Sequence, residues 1–66
     1  MEIVINGEPS DAPAGVSVRG LLELRELGST PCAVEINRSL VPHREHAERT
    51  LEPGDRVEIV TLVGGG

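Results

Sequence analysis

The chain has no lysine, no phenylalanine, no tryptophan and no tyrosine, and only one cysteine. Each absence removes a class of function. Eleven acidic residues face six arginines, for a net charge of −5, whereas phosphate neutralisation needs clustered cations and single-strand recognition needs aromatic faces to stack bases. Nucleic-acid binding is therefore excluded as a working reading. Cys32 has no partner in the chain, so no internal disulfide can staple the domain. No apolar run approaches the ~20 residues of a membrane span, and Met1 to Glu8 is acidic where a signal peptide carries positive charge. A cytoplasmic protein without membrane contact is expected.

What remains is 66 residues, 38% of them hydrophobic and nearly all aliphatic. A chain of this length buries only about 60% of its unfolded surface, which leaves room for one thin core. Its organisation is legible from turn residues and periodicity. Glu2-Ile3-Val4-Ile5 reads as a strand entering a tight hairpin at Asn6-Gly7, because that dipeptide accepts positive φ at both central positions. The return arm, Glu8 to Ala12, contains Pro9 and belongs at a sheet edge. Ser17 is placed to cap a helix with Val18, Leu21 and Leu22 on one face, Gly20 lowering its propensity, Arg25 interrupting the leucine stripe and Gly28 expected as its left-handed stop.

Beyond the helix, Val34 and Ile36 alternate through Cys32 to Asn37 as a half-buried strand, turned at Asn37-Arg38 into the short stretch Ser39-Leu40-Val41. The polar segment His43 to Thr50 is expected as an exposed helical turn or loop. Leu51-Glu52-Pro53-Gly54-Asp55 is a second strong turn. It launches Arg56 to Val63, the longest strand signal, which alternates at first and becomes apolar on both faces at Val60, Leu62 and Val63. Either these last residues close the edge of the core or they face a partner. The order predicts an α+β domain over 1–63, a mixed sheet of four to five strands crossed by one helix.

The sequence then reads Gly64-Gly65-Gly66, and three glycines after a strand are costly to order. Such a tail of 64–66 suits a flexible thread, thin enough for a narrow channel, and four extended residues reach about 14 Å. It would deliver the α-carboxylate of Gly66 into a partner. A carboxylate is inert until activated, for instance by attack on a nucleotide phosphate to give an acyl adenylate, so the chemistry must come from another protein. The plain reading is a frayed or engineered terminus.

Four segments in this order and spacing carry a resemblance over essentially the whole chain: Ile5 to Glu8, Val34 to Pro42, Leu51 to Ile59 and Val60 to Gly66. The chain resembles the ThiS family, the ubiquitin-like β-grasp sulfur carrier proteins of thiamin biosynthesis. The resemblance implies that an E1-like, ThiF-like adenylyltransferase using ATP and Mg activates the Gly66 carboxylate. It also implies that a cysteine desulfurase or sulfurtransferase supplies sulfur for a terminal thiocarboxylate, and that a ThiG-like thiazole synthase takes that sulfur to form the thiazole of thiamin. On this reading Gly66 is the adenylation and thiocarboxylate site and Gly64 and Gly65 thread the tail. Glu58, Val60 and Leu62 are expected to dock the partner, apolar contacts being steered by an acidic rim. No intrinsic cofactor is implied.

Other readings share the tail. Carriers for molybdopterin, tRNA thiolation or cysteine synthesis use the same chemistry, and a ubiquitin-like modifier would join Gly66 to a target lysine. A β-grasp interaction module with an inert tail is the reading from a different class. An enzyme is disfavoured, because no catalytic side-chain constellation is visible. His43 and His46 are too few for a zinc site, which takes three or four ligands, and no metal is expected. Cys32 is expected as a small apolar residue at a strand start.

Overall fold

The computed structural model describes residues 1–62. Seven elements follow one another: β1 (Glu2–Ile5), β2 (Glu8–Asp11), α1 (Val18–Leu24), β3 (Cys32–Ile36), β4 (Ser39–Val41), a 3-10 turn (His43–Glu45) and β5 (Arg56–Thr61). The strands form one sheet in the order β2-β1-β5-β3-β4. β5 runs parallel to β1 and antiparallel to β3, and the two outer pairs are antiparallel. This is the mixed five-stranded sheet with one helix that defines a ubiquitin-like β-grasp.

Both hairpins turn as their residues require. Asn6 and Gly7 have φ of 49° and 84°, and Pro9 sits in the edge strand β2 opposite Val4, where its missing N–H costs no ladder bond. Asn37 and Arg38 have φ of 51° and 70°. The two turn asparagines also fasten β5. Asn6 Oδ1 accepts from the Ile59 amide at 2.8 Å and Asn6 Nδ2 donates to the Ile59 carbonyl at 3.2 Å. That side-chain amide continues the short β1–β5 ladder past the point where the β1 backbone turns away. On the opposite edge, Asn37 Oδ1 accepts from the Arg56 amide at 3.0 Å.

One face of the sheet is covered by α1. Ile3, Ile5, Val34, Ile36, Val57 and Ile59 alternate inward from the strands and pack in one cluster with Val18, Leu21 and Leu22 of the helix, the period-2 and period-3.6 patterns meeting as expected. The helix start has its free amides satisfied. Val18 donates to the Arg49 carbonyl at 2.9 Å, Arg19 to the His46 carbonyl at 2.8 Å, and Gly20 to Ser17 Oγ at 3.0 Å. A Cβ at Gly20 would lie 3.0 Å from Val16 Cγ2, so a close approach explains the glycine that helix propensity disfavours.

The other helix end corrects the sequence expectation. The left-handed residue is Glu26, at φ 60°, not Gly28. Leu27 N donates to Leu22 O at 2.7 Å and Glu26 N to Glu23 O at 3.0 Å, the paired bonds of a Schellman stop. The partly buried Leu27 packs against the core beyond it, and the stop falls one residue before it. Replacing Glu26 by glycine is expected to stabilise the domain by about 1 kcal/mol through relief of the left-handed strain, read as a raised urea midpoint at unchanged slope.

The segment after β4 also differs from expectation. His46 is only 5% exposed, and its Nε2 lies 3.0 Å from the Val41 carbonyl. A carbonyl only accepts, so Nε2 carries the hydrogen and ties the 3-10 turn to the end of β4. The polar composition of residues 43–50 concealed this anchor.

Candidate functional site

The face of the sheet opposite α1 has no covering element among the described residues. Alternation along β5 places Glu58 and Val60 outward there, and Leu62 follows the same period. Val60 is 56% exposed and Leu62 50%, so neither belongs to the buried core. Leu62 N donates to Pro31 O at 2.8 Å, which continues the β3–β5 pairing to the last described residue. Val63, Gly64, Gly65 and Gly66 lie outside the described residues.

Two residues join this surface that the sequence reading did not single out. Register sets Ala33 opposite Val60, Glu35 opposite Glu58, and Leu40 opposite Glu35. Leu40 is 65% exposed. The surface is therefore an apolar pair, Val60 and Leu40, around two carboxylates held directly across from each other. Ala33, Glu35, Arg38, Glu58 and Val60 line a shallow depression of about 300 Å³ in it. Like charges opposed across strands are destabilising, and Arg38 brings a basic side chain to the same depression. Glu35 was legible as the outward residue between Val34 and Ile36; its pairing with Glu58 needed the register.

Among the described residues, no group of three or more His, Cys, Asp or Glu side chains could hold a metal ion. No described helix is long and apolar enough to cross a membrane. Cys32 is half-buried against the core at the start of β3, where its Sγ donates to the Thr30 carbonyl at 3.2 Å.

The ThiS family matches residues 3–66, from the first core isoleucine through the three glycines. The chain belongs to the ThiS family. A solved ThiS structure, the thiamine biosynthesis protein of Geobacter metallireducens, superposes with a TM-score of 0.85 at 28% identity, covering 100% of both chains. The Escherichia coli sulfur carrier protein ThiS is 29% identical, again over 100% of both chains. A thiazole synthase from Paramagnetospirillum magneticum is 39% identical over 66 residues; this ThiS-family chain spans 20% of that protein's length.

Proposed function

We propose that this ThiS-family chain is a sulfur carrier protein that supplies sulfur for the thiazole moiety of thiamin. The supporting observation is a family match that runs through the terminal glycines and a likeness to the Escherichia coli sulfur carrier that covers both chains fully. In the proposed cycle, an oxygen of the Gly66 carboxylate attacks the α-phosphorus of ATP held by an E1-like adenylyltransferase. Pyrophosphate leaves and an acyl adenylate remains. The terminal sulfur of a persulfide carried by a cysteine desulfurase or sulfurtransferase then attacks the carbonyl carbon and displaces AMP to give an acyl disulfide. A thiol cleaves its S–S bond, leaving the thiocarboxylate and a new disulfide between the thiol and the donor. The chain acts as a co-substrate, with the catalytic groups and the Mg-bound nucleotide on its partner.

The fold suits this role because β5 lies at the centre of the sheet and leads directly into the tail. Gly64 and Gly65 would pass the activating enzyme's channel without side chains, and Gly66 would present the reacting atom. A thread of this kind holds sulfur at high effective concentration near its acceptor. The likeness to a thiazole synthase segment supports a ThiG-like enzyme as that acceptor. Docking is assigned to Val60 and Leu62 with Glu58 at the rim, extended by Leu40 and Glu35. Leu62→Asp is expected to weaken binding to the activating enzyme at least tenfold, about 1.4 kcal/mol, without unfolding an already exposed position, as measured by titration calorimetry.

The test of the function is intact-mass spectrometry after incubation with MgATP, an E1-like enzyme and a sulfur source. A mass gain equal to exchange of one oxygen for sulfur is expected. A product joined to a protein lysine would instead identify a modifier, and no product with competent enzymes would leave an interaction module.

A further inference from the structure

On the helix side of the sheet, away from the docking surface, a cavity of about 400 Å³ opens between α1, the segment that follows it and the 3-10 turn. Two of the chain's six arginines, Arg19 and Arg44, line it together with both histidines, His43 and His46, and none of its eleven carboxylate residues does. In a chain of net charge −5 this segregation concentrates positive potential at one concave place. We propose that this cavity binds the phosphate group of a small phosphate ester.

Three features support the assignment. The His46 ring is fixed in place by its bond to the Val41 carbonyl and lies with its centroid 5.1 Å from that of His43, so one wall is preorganised. The guanidinium groups are only loosely committed: Arg19 Nε is 3.8 Å from Glu23 and Arg44 Nη2 is 3.9 Å from Glu45, with both pairs well exposed. Exposed pairs of this kind contribute little, and a phosphate can replace them. Two guanidinium groups match a dianion better than a carboxylate, since each can donate a fork of two hydrogen bonds to phosphate oxygens. The remaining lining includes Leu22 and Leu27, an apolar surface for the body of an ester. The volume lies within the range of small-molecule sites, roughly 300–1,000 Å³.

The test uses the full ¹⁵N-labelled chain titrated with glycerol phosphate, with inorganic phosphate, with acetate, and with sodium chloride at matched ionic strength. Glycerol phosphate is expected to shift the amide signals of residues 27–32 and 43–47 saturably, more strongly than acetate, while chloride leaves them in place. Arg19→Gln combined with Arg44→Gln is expected to raise the half-saturating concentration about tenfold, whereas Arg25→Gln leaves it unchanged. Cys32, which also lines the cavity, provides a second readout. Its alkylation by anionic iodoacetate should exceed that by neutral iodoacetamide relative to a free thiol, and glycerol phosphate should slow both.

Equal shifts with chloride, unaltered affinity in the double variant, or binding of inorganic phosphate without the ester would each overturn the proposal. So would saturation by a glutamate-rich peptide but not by the ester, which would make the cavity a protein contact.

Discussion

Deletion of Gly66 is expected to abolish thiocarboxylate formation in the intact-mass assay while the domain stays folded. The shortened chain still ends in a glycine carboxylate, that of Gly65, so the expected loss is geometric rather than chemical. Removing one extended residue withdraws the carboxylate by about 3.6 Å. Misplacement of a reacting group by 1 Å can already cost about a hundredfold in rate, and in-line attack on a phosphorus atom demands both distance and direction. The rate should fall by at least that factor, and the mass increment should be undetectable on the time scale of the full-length reaction. Retention of activity in the deletion variant would mean that the tail is not read by length, and the assignment of Gly66 as the reacting residue would fail.

The second large effect is on stability. Asn6→Ala is expected to destabilise the domain by about 3 kcal/mol, made up of two hydrogen bonds to Ile59 at a net ~1 kcal/mol each and roughly 1 kcal/mol for a Cβ residue without a local side-chain bond in the left-handed region. A chain of this size has a total stability of only about 3–10 kcal/mol at 0.05–0.15 kcal/mol per residue. The variant should therefore be substantially unfolded at moderate urea where the parent is folded. Two companions separate the causes. Asn6→Gly removes the strain and loses the bonds, so about 2 kcal/mol should remain. Asn6→Asp retains the acceptor for the Ile59 amide at 2.8 Å and loses only the donor to its carbonyl, and should fall between the parent and the alanine variant. Equal midpoints for the alanine and glycine variants would show that the turn geometry contributes nothing.

Asn6 also shows where sequence reading stops. Its place before Gly7 predicted the hairpin, since positive φ is a local property of those two residues. Its grip on Ile59, 53 residues away, has no local signal, because any of the inward strands could have been the neighbour of β1. The helix tells the same story. Ser17 announced its start through an oxygen within reach of its own chain, as observed. The end falls at Glu26, a non-glycine residue held left-handed where the partly buried Leu27 next to it packs against the core.

At the surface, the outward direction of Glu58 and Val60 was readable from period-2 alternation, and their exposure agrees. Their apposition to Glu35 and the addition of Leu40 depended on register. The cationic cavity was equally hidden, since Arg19 lies on the helix and Arg44 on the turn after β4, with nothing in the spacing to unite them.

The sequence by itself therefore determined the single helix and its start, the strands on either side of it, both asparagine hairpins, the alternating core positions and the family-like glycine tail. Each follows from the conformational limits of a residue and its near neighbours, or from a repeat that a strand or helix turns into one face. Only the tertiary structure decided that the last strand lies between the first and third, that His46 is an anchor, and which charges share a surface. Those outcomes rest on contacts between residues far apart in the chain, where burying apolar area and satisfying backbone groups together select one arrangement among several that local preferences permit.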